Sequence, residues 1–400
     1  MERRWRLAAT IFVVLFMVAM AGAGLWWLLN PVPGPLRLTR ADFDELPGWN
    51  GADLRPALAA FARSCRALAG RDGAAAMGGA GYAGTAGDWR APCEAATSVA
   101  AGEARAFFER RFTPYVVSAG RVAAGRFTGY YEPEILGSRR RHGAFRVPVY
   151  GRPDDLVTVD LGQFRPSLRG EHLAGRVEAG RLLPYATRAD IDARGLAKAP
   201  ILFYADDPVA LFFLHVQGSG RVRFEDGSTA RVGYAAQNGQ PYTAIGKVLI
   251  ERGVPREDLS MPSVRAWLKA HPEEAPAVME RDASYIFFKE EPIGDPALGA
   301  KGTEGVPLTP LGSLAVDPRL HALGVPFFVS VPGELNGLFV AQDTGGAIRG
   351  PVRGDIFFGF GNDAETRAGN LNRPGRLYVL LPKPVAERLG ARRDFPDDPP

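Results

Sequence analysis

The segment AQDTGGAIRGPVRGDIFFGFG, residues 341–361, places Asp343 and Asp355 among six glycines. Asp343 follows the apolar run 338–340, and this pattern predicts a strand that ends at the acid. Backbone N–H groups of the glycine turn at 345–346 are expected to donate to its carboxylate, and such bonds keep a carboxyl ionised. We therefore expect a tight turn that holds two acids beside a buried strand.

Asp355 has a different setting, because it precedes the apolar run 356–358. Desolvation beside such a run raises a carboxyl pKa. Arg349 and Arg353 would lower that pKa from a few ångström away, and the sequence leaves the net direction open. Asp317, in the segment AVDP, occupies a similar predicted strand end. All three aspartates are candidate functional acids, and the alternative is that they only cap turns.

Asp343, Thr344 and Gly345 also form the triplet found at the active site of aspartic proteases. Those enzymes need two such aspartates that share one proton. This chain contains one Asp-Thr-Gly triplet, so a protease would have to be a dimer. Gln342 stands directly before the aspartate, where an apolar residue is expected. The protease is therefore an alternative that the sequence disfavours.

Outward from this segment, helical and strand periods alternate along the chain. The sequence predicts helices at 53–70, 97–112, 242–253 and 261–282, the last with Ser260 and Pro262 as cap and first turn. It predicts a loop at 70–87 and strands within 127–135, 145–153, 156–162, 201–206, 211–235, 284–289, 326–331, 338–343, 355–360 and 376–383. The sequence EDGS at 225–228 predicts a hairpin turn. This order indicates a mainly β protein with flanking helices, in which one domain is inserted in another.

The N-terminal 30 residues indicate export. Residues 7–29 contain no charge, which is long enough to cross a hydrocarbon layer of roughly 30 Å. Basic residues stay on the cytoplasmic side, so the rest of the chain is expected outside. Trp26 and Trp27 favour an uncleaved membrane anchor, whereas the small residues at 19–21 resemble a signal-peptide cleavage site. The sequence leaves these two alternatives open.

Composition excludes several classes of function. The net charge of +4 comes from scattered arginines, which does not indicate nucleic-acid binding. The five histidines lack metal-ligand spacing, and the chain has neither a Gly-x-Ser-x-Gly elbow nor a phosphate-binding loop. We therefore predict no metal and no cofactor. Cys65 and Cys93 either form a disulfide in an oxidising compartment or remain two thiols.

Five stretches resemble, in order, landmarks of the membrane-bound lytic murein transglycosylase A family. They are FTGYYEPEI, HVQGSGRVRFEDG, YAAQNGQPYTAIGKVLIERG, MPSVRAWLKAHPEEA and AQDTGGAIRGPVRGDIFFGFG. The last one, with AVDP before it, resembles the three-aspartate domain, named for acids that match Asp317, Asp343 and Asp355. Together these landmarks lie within residues 127–383.

The resemblance implies a fold and its division into domains. It implies a double-psi β-barrel built from residues 45–129 and 233–383, with a smaller β-domain, residues 130–232, inserted in it. Residues 1–30 would be the anchor or signal, and residues 384–400 a flexible tail. Substrate would lie in a groove between the two domains.

The resemblance also implies cleavage of the β-1,4 bond between N-acetylmuramic acid and N-acetylglucosamine in peptidoglycan. The C6 hydroxyl of the muramic acid attacks its own C1 and forms a 1,6-anhydro ring, so one carboxyl suffices where ordinary glycosidases use two. Asp355 matches the catalytic acid/base, and Asp343 and Asp317 would support it. Candidate sugar-binding residues in the matched stretches are Thr128, Tyr130, Gln217, Ser219 and Tyr234.

The implied partners are peptidoglycan strands in the periplasm and the membrane, through the N-terminal segment. A non-catalytic peptidoglycan-binding protein on the same fold remains the second hypothesis. Its expected signature is binding to sacculi without release of soluble fragments.

Overall fold

The computed structural model describes residues 34–168 and 171–391 of the 400-residue chain. The strands are β1 (Leu36–Arg40), β2 (Phe112–Ala119), β3 (Ala124–Glu132), β4 (Glu134–Ser138), β5 (Val147–Tyr150), β6 (Val157–Asp160), β7 (His172–Glu178), β8 (Arg181–Pro184), β9 (Ile201–Ala205), β10 (Gly220–Phe224), β11 (Thr229–Gln237), β12 (Ile286–Glu291), β13 (Ser313–Val316), β14 (Pro326–Val331), β15 (Leu335–Thr344), β16 (Arg353–Phe360) and β17 (Asn372–Pro382). The α-helices are α1 (Arg55–Leu68), α2 (Arg90–Ala96), α3 (Ala104–Arg111), α4 (Arg188–Arg194), α5 (Pro208–Gln217), α6 (Ile245–Glu251), α7 (Met261–Ala270), α8 (Ala275–Met279), α9 (Gly361–Asn370) and α10 (Lys383–Ala391).

Eight strands form the first sheet, in the order β1-β2-β17-β14-β15-β13-β16-β3. Strand β3 also pairs with β17, so the six strands from β17 to β3 close into a barrel. The N-terminal helices cover one side of this barrel, where an aromatic cluster joins them to β2: Phe61, Trp89, Phe107, Phe108 and Phe112. The mainly β fold, a double-psi β-barrel with flanking helices, agrees with the prediction.

A second sheet is inserted between barrel strands β3 and β13, in the order β12-β11-β10-β4-β9-β5. A bridge between Gly151 and Phe288 brings its two outer strands together. Strands β10 and β11 form the predicted hairpin around 225–228. The predicted boundary at 232 falls inside β11, and β12 extends the same sheet to residue 291. We therefore propose that the inserted domain ends near residue 291 rather than at 232.

A buried ion-pair cluster joins the barrel to the inserted sheet. Glu132, at the end of β3, is fully buried and accepts hydrogen bonds from Arg231 Nε at 2.6 Å and Arg221 Nε at 3.0 Å. Both arginines also donate to the carbonyl of Leu298. A buried carboxylate left without its partners is strongly destabilising, so these contacts constrain how the two sheets meet.

Several predicted elements need correction. Residues 211–217, predicted within a strand run, belong to helix α5, because Asp207 accepts hydrogen bonds from Val209 N and Ala210 N and Pro208 occupies its first turn. This helix is apolar on most of its surface, so its period carries little information. The predicted flexible tail begins too early, because residues 383–391 form α10. The predicted helix at 97–112 starts only at Ala104, after a 3-10 turn.

Cys65 on α1 and Cys93 on α2 form a disulfide, which decides between the two alternatives for these residues. The predicted anchor or signal, residues 1–30, lies outside the described residues. Among the helices of residues 34–168 and 171–391, none has the length and apolar character needed to cross a membrane.

Candidate active site

Four side chains form a row across the barrel wall. In the pairing register, Asp355 on β16 lies opposite Thr128 on β3 and opposite Ala315 on β13, and Ala315 lies opposite Asp343 on β15. Residues directly opposite on paired strands project from the same face of a sheet. We call these four residues the carboxylate row. Strands lie ~4.8 Å apart, so the two aspartate Cα atoms are separated by roughly 10 Å.

Asp355 keeps one oxygen available. Thr128 Oγ1 donates to Asp355 Oδ1 at 2.5 Å, and Arg353 Nη2 donates in turn to Thr128 Oγ1 at 2.9 Å. Within the described residues, Oδ2 of Asp355 has no hydrogen-bond partner. Desolvation raises the pKa of Asp355, against the lowering effects of Arg353 and Thr128, and the nearby charge of Asp343 adds to the rise. The sequence left open whether the pKa of Asp355 is raised or lowered, and the structure indicates that it is raised.

Asp343 has both oxygens engaged. Oδ1 accepts hydrogen bonds from Thr303 N and Thr303 Oγ1, each at 3.0 Å, and Oδ2 accepts one from the Tyr130 hydroxyl at 3.1 Å. The predicted donors, the N–H groups of the glycine turn, do not hold it. Burial raises the pKa of Asp343 despite these bonds, which is opposite to the direction expected from donors in a glycine turn.

Asp317 lies in a different environment, in the turn after β13. Its fully buried carboxylate accepts a two-pronged hydrogen bond from Arg319 at 2.7 and 3.0 Å, and one from Gly350 N at 2.9 Å. Arg349 approaches it at 3.7 Å. Burial alone would raise the pKa of Asp317, but the Arg319 and Gly350 hydrogen bonds outweigh burial and lower it. Asp317 thus fixes the loop that connects the strands of Asp343 and Asp355.

Ala315 is the member of the row without a polar group, and it is buried between the strands that carry the two aspartates. Tyr130 packs against Phe357 with ring centroids 5.2 Å apart, which forms an apolar wall beside the row. The arrangement provides one protonatable oxygen next to an apolar surface, and this suits general acid/base chemistry.

The predicted sugar-binding residues divide into two groups. Thr128 and Tyr130 contact the two aspartates directly. Gln217 instead accepts a hydrogen bond from the Tyr131 backbone N at 3.1 Å, at the end of α5. Tyr234 is half-exposed on β11, where the charge of Arg152 acts on its hydroxyl. Within the described residues, neither Ser219 nor Tyr234 forms a hydrogen bond to the carboxylate row.

Two further residues bear on the site. Thr303 holds Asp343 from the loop before β13, a position that no periodic pattern marks. Tyr242 is half-exposed, and desolvation together with the charges of Asp282 and Asp355 raises its pKa to about 12. The motif PYTAIG contains Tyr242, but only the fold brings it near Asp355. Across residues 34–168 and 171–391, no group of three or more His, Cys, Asp or Glu side chains is placed to hold a metal ion.

Two sequence families match the chain. Residues 126–289 match the MltA specific insert domain, and residues 312–381 match the 3D domain. The second match contains Ala315 and all three aspartates, whereas Thr128 and Tyr130 lie in the first. The fold and site thus define a class of protein in which a 3D-domain barrel and an MltA-type insert both contribute to one acidic site.

Curated relatives and solved structures agree with this class. The membrane-bound lytic murein transglycosylase A of Escherichia coli K12 is 36% identical over 274 residues, which cover 65% of this chain and 67% of that protein. That of Vibrio cholerae is 33% identical over 272 residues, 64% of each chain. The chain belongs to the membrane-bound lytic murein transglycosylase A family.

Solved structures extend the similarity to most of the fold. A membrane-bound lytic murein transglycosylase from Agrobacterium tumefaciens superposes with a TM-score of 0.77 at 34% identity, covering 88% of this chain and 99% of that one. MltA from Neisseria gonorrhoeae gives a TM-score of 0.72 at 35% identity, covering 88% and 94%. E. coli MltA with bound chitohexaose gives 0.65 at 28% identity, covering 88% and 95%.

Proposed function

We propose that this chain is a lytic transglycosylase that cleaves the β-1,4 bond between N-acetylmuramic acid and N-acetylglucosamine of peptidoglycan, with Asp355 as acid and base. Family membership supports the reaction class, and the chitohexaose bound to the E. coli relative supports a sugar chain as ligand. One observation carries the assignment of the acid. Asp355 has a raised pKa and, among the residues that the structure describes, one oxygen without a hydrogen-bond partner, whereas both oxygens of Asp343 are occupied.

The reaction requires one proton to move out and one to return. Protonated Asp355 gives its proton to the glycosidic oxygen as the bond to C1 breaks, and N-acetylglucosamine leaves with a hydroxyl. The C6 hydroxyl of the muramic acid attacks C1 and gives its proton to the Asp355 carboxylate, which regenerates the acid. A raised pKa favours the protonated starting state. Acid/base help of this kind contributes about 10²–10⁴ in rate, and the internal nucleophile adds more through its proximity.

Hydrolysis by a second carboxylate fits these contacts less well. A retaining glycosidase needs its two carboxyl groups ~5–5.5 Å apart, whereas Asp343 and Asp355 lie two strands apart, with their Cα atoms separated by roughly 10 Å. An inverting enzyme needs an ionised base with a free oxygen for water. Asp343 has a raised pKa and donors on both oxygens, so it is poorly suited to that role. Its contacts instead suit the positioning of Tyr130.

The compartment follows from the same proposal. The predicted N-terminal anchor or signal implies export, and the Cys65–Cys93 disulfide is a bond that persists in oxidising compartments. We infer a periplasmic enzyme, tethered to the inner membrane if the apolar segment at 7–29 is retained. The mass of the mature protein purified from membranes distinguishes a retained segment from a cleaved one.

Digestion of purified sacculi, followed by mass spectrometry of the soluble products, tests the function. We expect muropeptides that end in 1,6-anhydromuramic acid. Reducing ends that carry an oxygen from labelled water would indicate a hydrolase and contradict the proposal. Binding to sacculi without any soluble product would favour the non-catalytic alternative, and cleaved peptides would favour the dimeric protease.

A further inference from the structure

A cavity lies in the inserted domain, and none of the four residues of the carboxylate row lines it. It has a volume of about 880 Å³. Strands β5 and β9 form one wall, and α4, the start of α5, α7 and α8 form the others. We call it the insert cavity. Its size is typical of sites that bind small organic ligands, and the acid/base mechanism above makes no use of it.

The walls of the insert cavity are mostly apolar, with a buried cation among them. Apolar lining residues include Ile191, Val209, Phe212, Leu268, Pro276 and Met279. Arg188 also lines the cavity, is 4% exposed, and lies against the rings of Phe212 and Tyr285. It donates from Nε to the Asp282 carbonyl and from Nη2 to the Ser284 carbonyl. Its Nη1 has no hydrogen-bond partner among the described residues.

Next to Arg188, the buried His215 has an unused hydrogen-bonding group. Arg188 Nη2 lies 3.4 Å from His215 Nδ1, and a guanidinium can only donate, so Nδ1 is the acceptor and Nε2 carries the proton. His215 Nε2 is buried and has no partner within the described residues. Burial lowers the pKa of His215 well below its usual value, so the ring is neutral. Buried polar groups without partners are rare in folded proteins and require an explanation.

Charged side chains of both signs line the insert cavity. Arg141 and Arg146 line it, and neither forms an ion pair with a carboxylate among the described residues. Asp192 and Glu280 line it as well. Partial desolvation raises the pKa of Asp192 to about 6; Arg188 opposes this rise and Glu280 contributes to it. The cavity thus offers cations for a carboxylate and a pair of acids for an ammonium group.

A short series of contacts leads from the insert cavity towards Tyr242, the residue on which the charge of Asp355 acts. Asp282, whose carbonyl binds Arg188, accepts a hydrogen bond from Thr243 N at 2.9 Å on its carboxylate. The charges of Asp282 and Asp355 both act on Tyr242. Asp282 and Thr243 thus connect Arg188 in the cavity with Tyr242. A peptide of four residues spans up to roughly 13 Å, which is long enough to follow such a short path.

We propose that the insert cavity binds the peptide branch of the peptidoglycan strand whose glycan is cleaved at Asp355. This inference rests on the proposed function. The peptide branches of peptidoglycan are short and carry methyl or other aliphatic groups, carboxylates and a free amino group. The apolar walls, the unpaired arginines and the Asp192–Glu280 pair match these three features. Binding there would make the enzyme favour glycan that still bears its peptides.

Two substrates test the inference: glycan strands with their peptides, and strands of the same length from which an amidase has removed them. We expect wild type to show a kcat/KM about tenfold higher on the peptide-bearing strands, which corresponds to about 1.4 kcal/mol. Ala193 lines the cavity from the exposed side of α4, so Ala193→Trp fills space without removing a core side chain. Ala193→Trp and Arg141→Glu should bring the ratio of the two rates close to one.

Matched controls separate the cavity from general effects. Ala193→Ser adds little volume, and Arg256→Glu reverses an exposed charge that does not line the cavity, so both should keep the wild-type ratio. Isothermal titration with the amidase-released peptides should show binding to wild type and at least tenfold weaker binding to Ala193→Trp. Equal wild-type rates on both substrates, or an unchanged ratio in folded Ala193→Trp, would overturn the inference while the proposed function stands. Failure of wild type to release anhydro products from either substrate would contradict the proposed function itself.

Discussion

Asp317 and Asp355 begin as similar aspartates and end in opposite environments. Asp317 directly follows strand β13, Asp355 lies near the start of strand β16, and each has arginines nearby in the sequence. Arg319 and the Gly350 N–H bind the buried carboxylate of Asp317, and its pKa is lowered. Asp355 receives one hydroxyl, from Thr128, and its pKa is raised. The neighbouring arginines also act differently. Arg319 binds the Asp317 carboxylate directly, whereas Arg353 donates to Thr128 rather than to the Asp355 carboxylate.

This difference teaches how to separate a structural acid from a reactive one. A carboxylate that is neutralised by arginine and saturated with donors has little capacity to exchange a proton. A carboxyl with a raised pKa and an open oxygen retains that capacity, which is why perturbed pKa values accumulate at functional sites. The comparison predicts that Asp355 controls rate and Asp317 controls stability.

Replacement of Asp355 should give the largest effect on activity. Asp355→Asn keeps the shape and the Thr128 contact but cannot deliver or accept the proton. We expect kcat on sacculi to fall by about 10²–10⁴, measured as release of anhydro-muropeptides. The thermal midpoint should stay close to that of wild type. A variant with near-normal turnover would remove Asp355 from the mechanism.

Replacement of Asp317 should act on stability instead. Asp317→Ala leaves Gly350 N without its acceptor, and we expect a loss of ~2–3 kcal/mol in the free energy of unfolding at neutral pH. The pKa of Asp317 is lowered by folding, so its contribution exists above the unfolded pKa and disappears as pH falls through the folded value. Urea titrations at several pH values should therefore show the two proteins converging in acid.

The exposed pair Arg176–Glu178 offers a control for Asp317, because Glu178→Ala should change stability by less than ~1 kcal/mol. A folded Asp317→Ala protein with wild-type stability but strongly reduced turnover would reverse the comparison. It would place Asp317, rather than the carboxylate row alone, in the reaction.

The sequence predicted the acids and most strands, but not how the strands align. Local apolar runs placed Asp343 at the end of one strand and Asp355 at the start of another, and an ordered set of motifs implied the barrel. The carboxylate row depends on lateral register between strands as far apart in sequence as Thr128 and Asp355. No local pattern encodes that register, because it results from closure of the whole barrel.

Two contacts at the site were not predictable from the sequence, for related reasons. The donors to Asp343 come from Thr303, forty positions away, rather than from the adjacent glycine turn. Gln217, which stays a candidate for sugar binding, accepts a hydrogen bond from the Tyr131 backbone at the end of α5, a helix that the sequence did not predict. Long-range contacts decided both positions, and these contacts form only in the folded chain.

Replacement of Thr128 tests whether Asp355 is the group that titrates in the pH profile. Its hydrogen bond lowers the pKa of Asp355, so Thr128→Val should move the alkaline limb of the kcat profile to higher pH. Loss of this bond to a charged group should also reduce kcat at the optimum by roughly tenfold. Thr128→Ser keeps the hydroxyl and should restore both properties. An unshifted limb in Thr128→Val would mean that the profile reports another group.

Replacement of Asp343 should give the smallest loss of kcat and a shift of the alkaline limb opposite to that in Thr128→Val. Its charge contributes to the raised pKa of Asp355, so Asp343→Asn should move the alkaline limb to lower pH. An asparagine can still accept from Thr303 or Tyr130, so the loss of kcat should be smaller than in Thr128→Val. The measurement is the same pH series on one glycan substrate, with Thr303→Ser as the variant that keeps the donors.

Shifts of opposite sign in Thr128→Val and Asp343→Asn would identify Asp355 as the titrating acid, because these two neighbours act on its pKa in opposite directions. Shifts of the same sign would assign the limb to a different carboxyl.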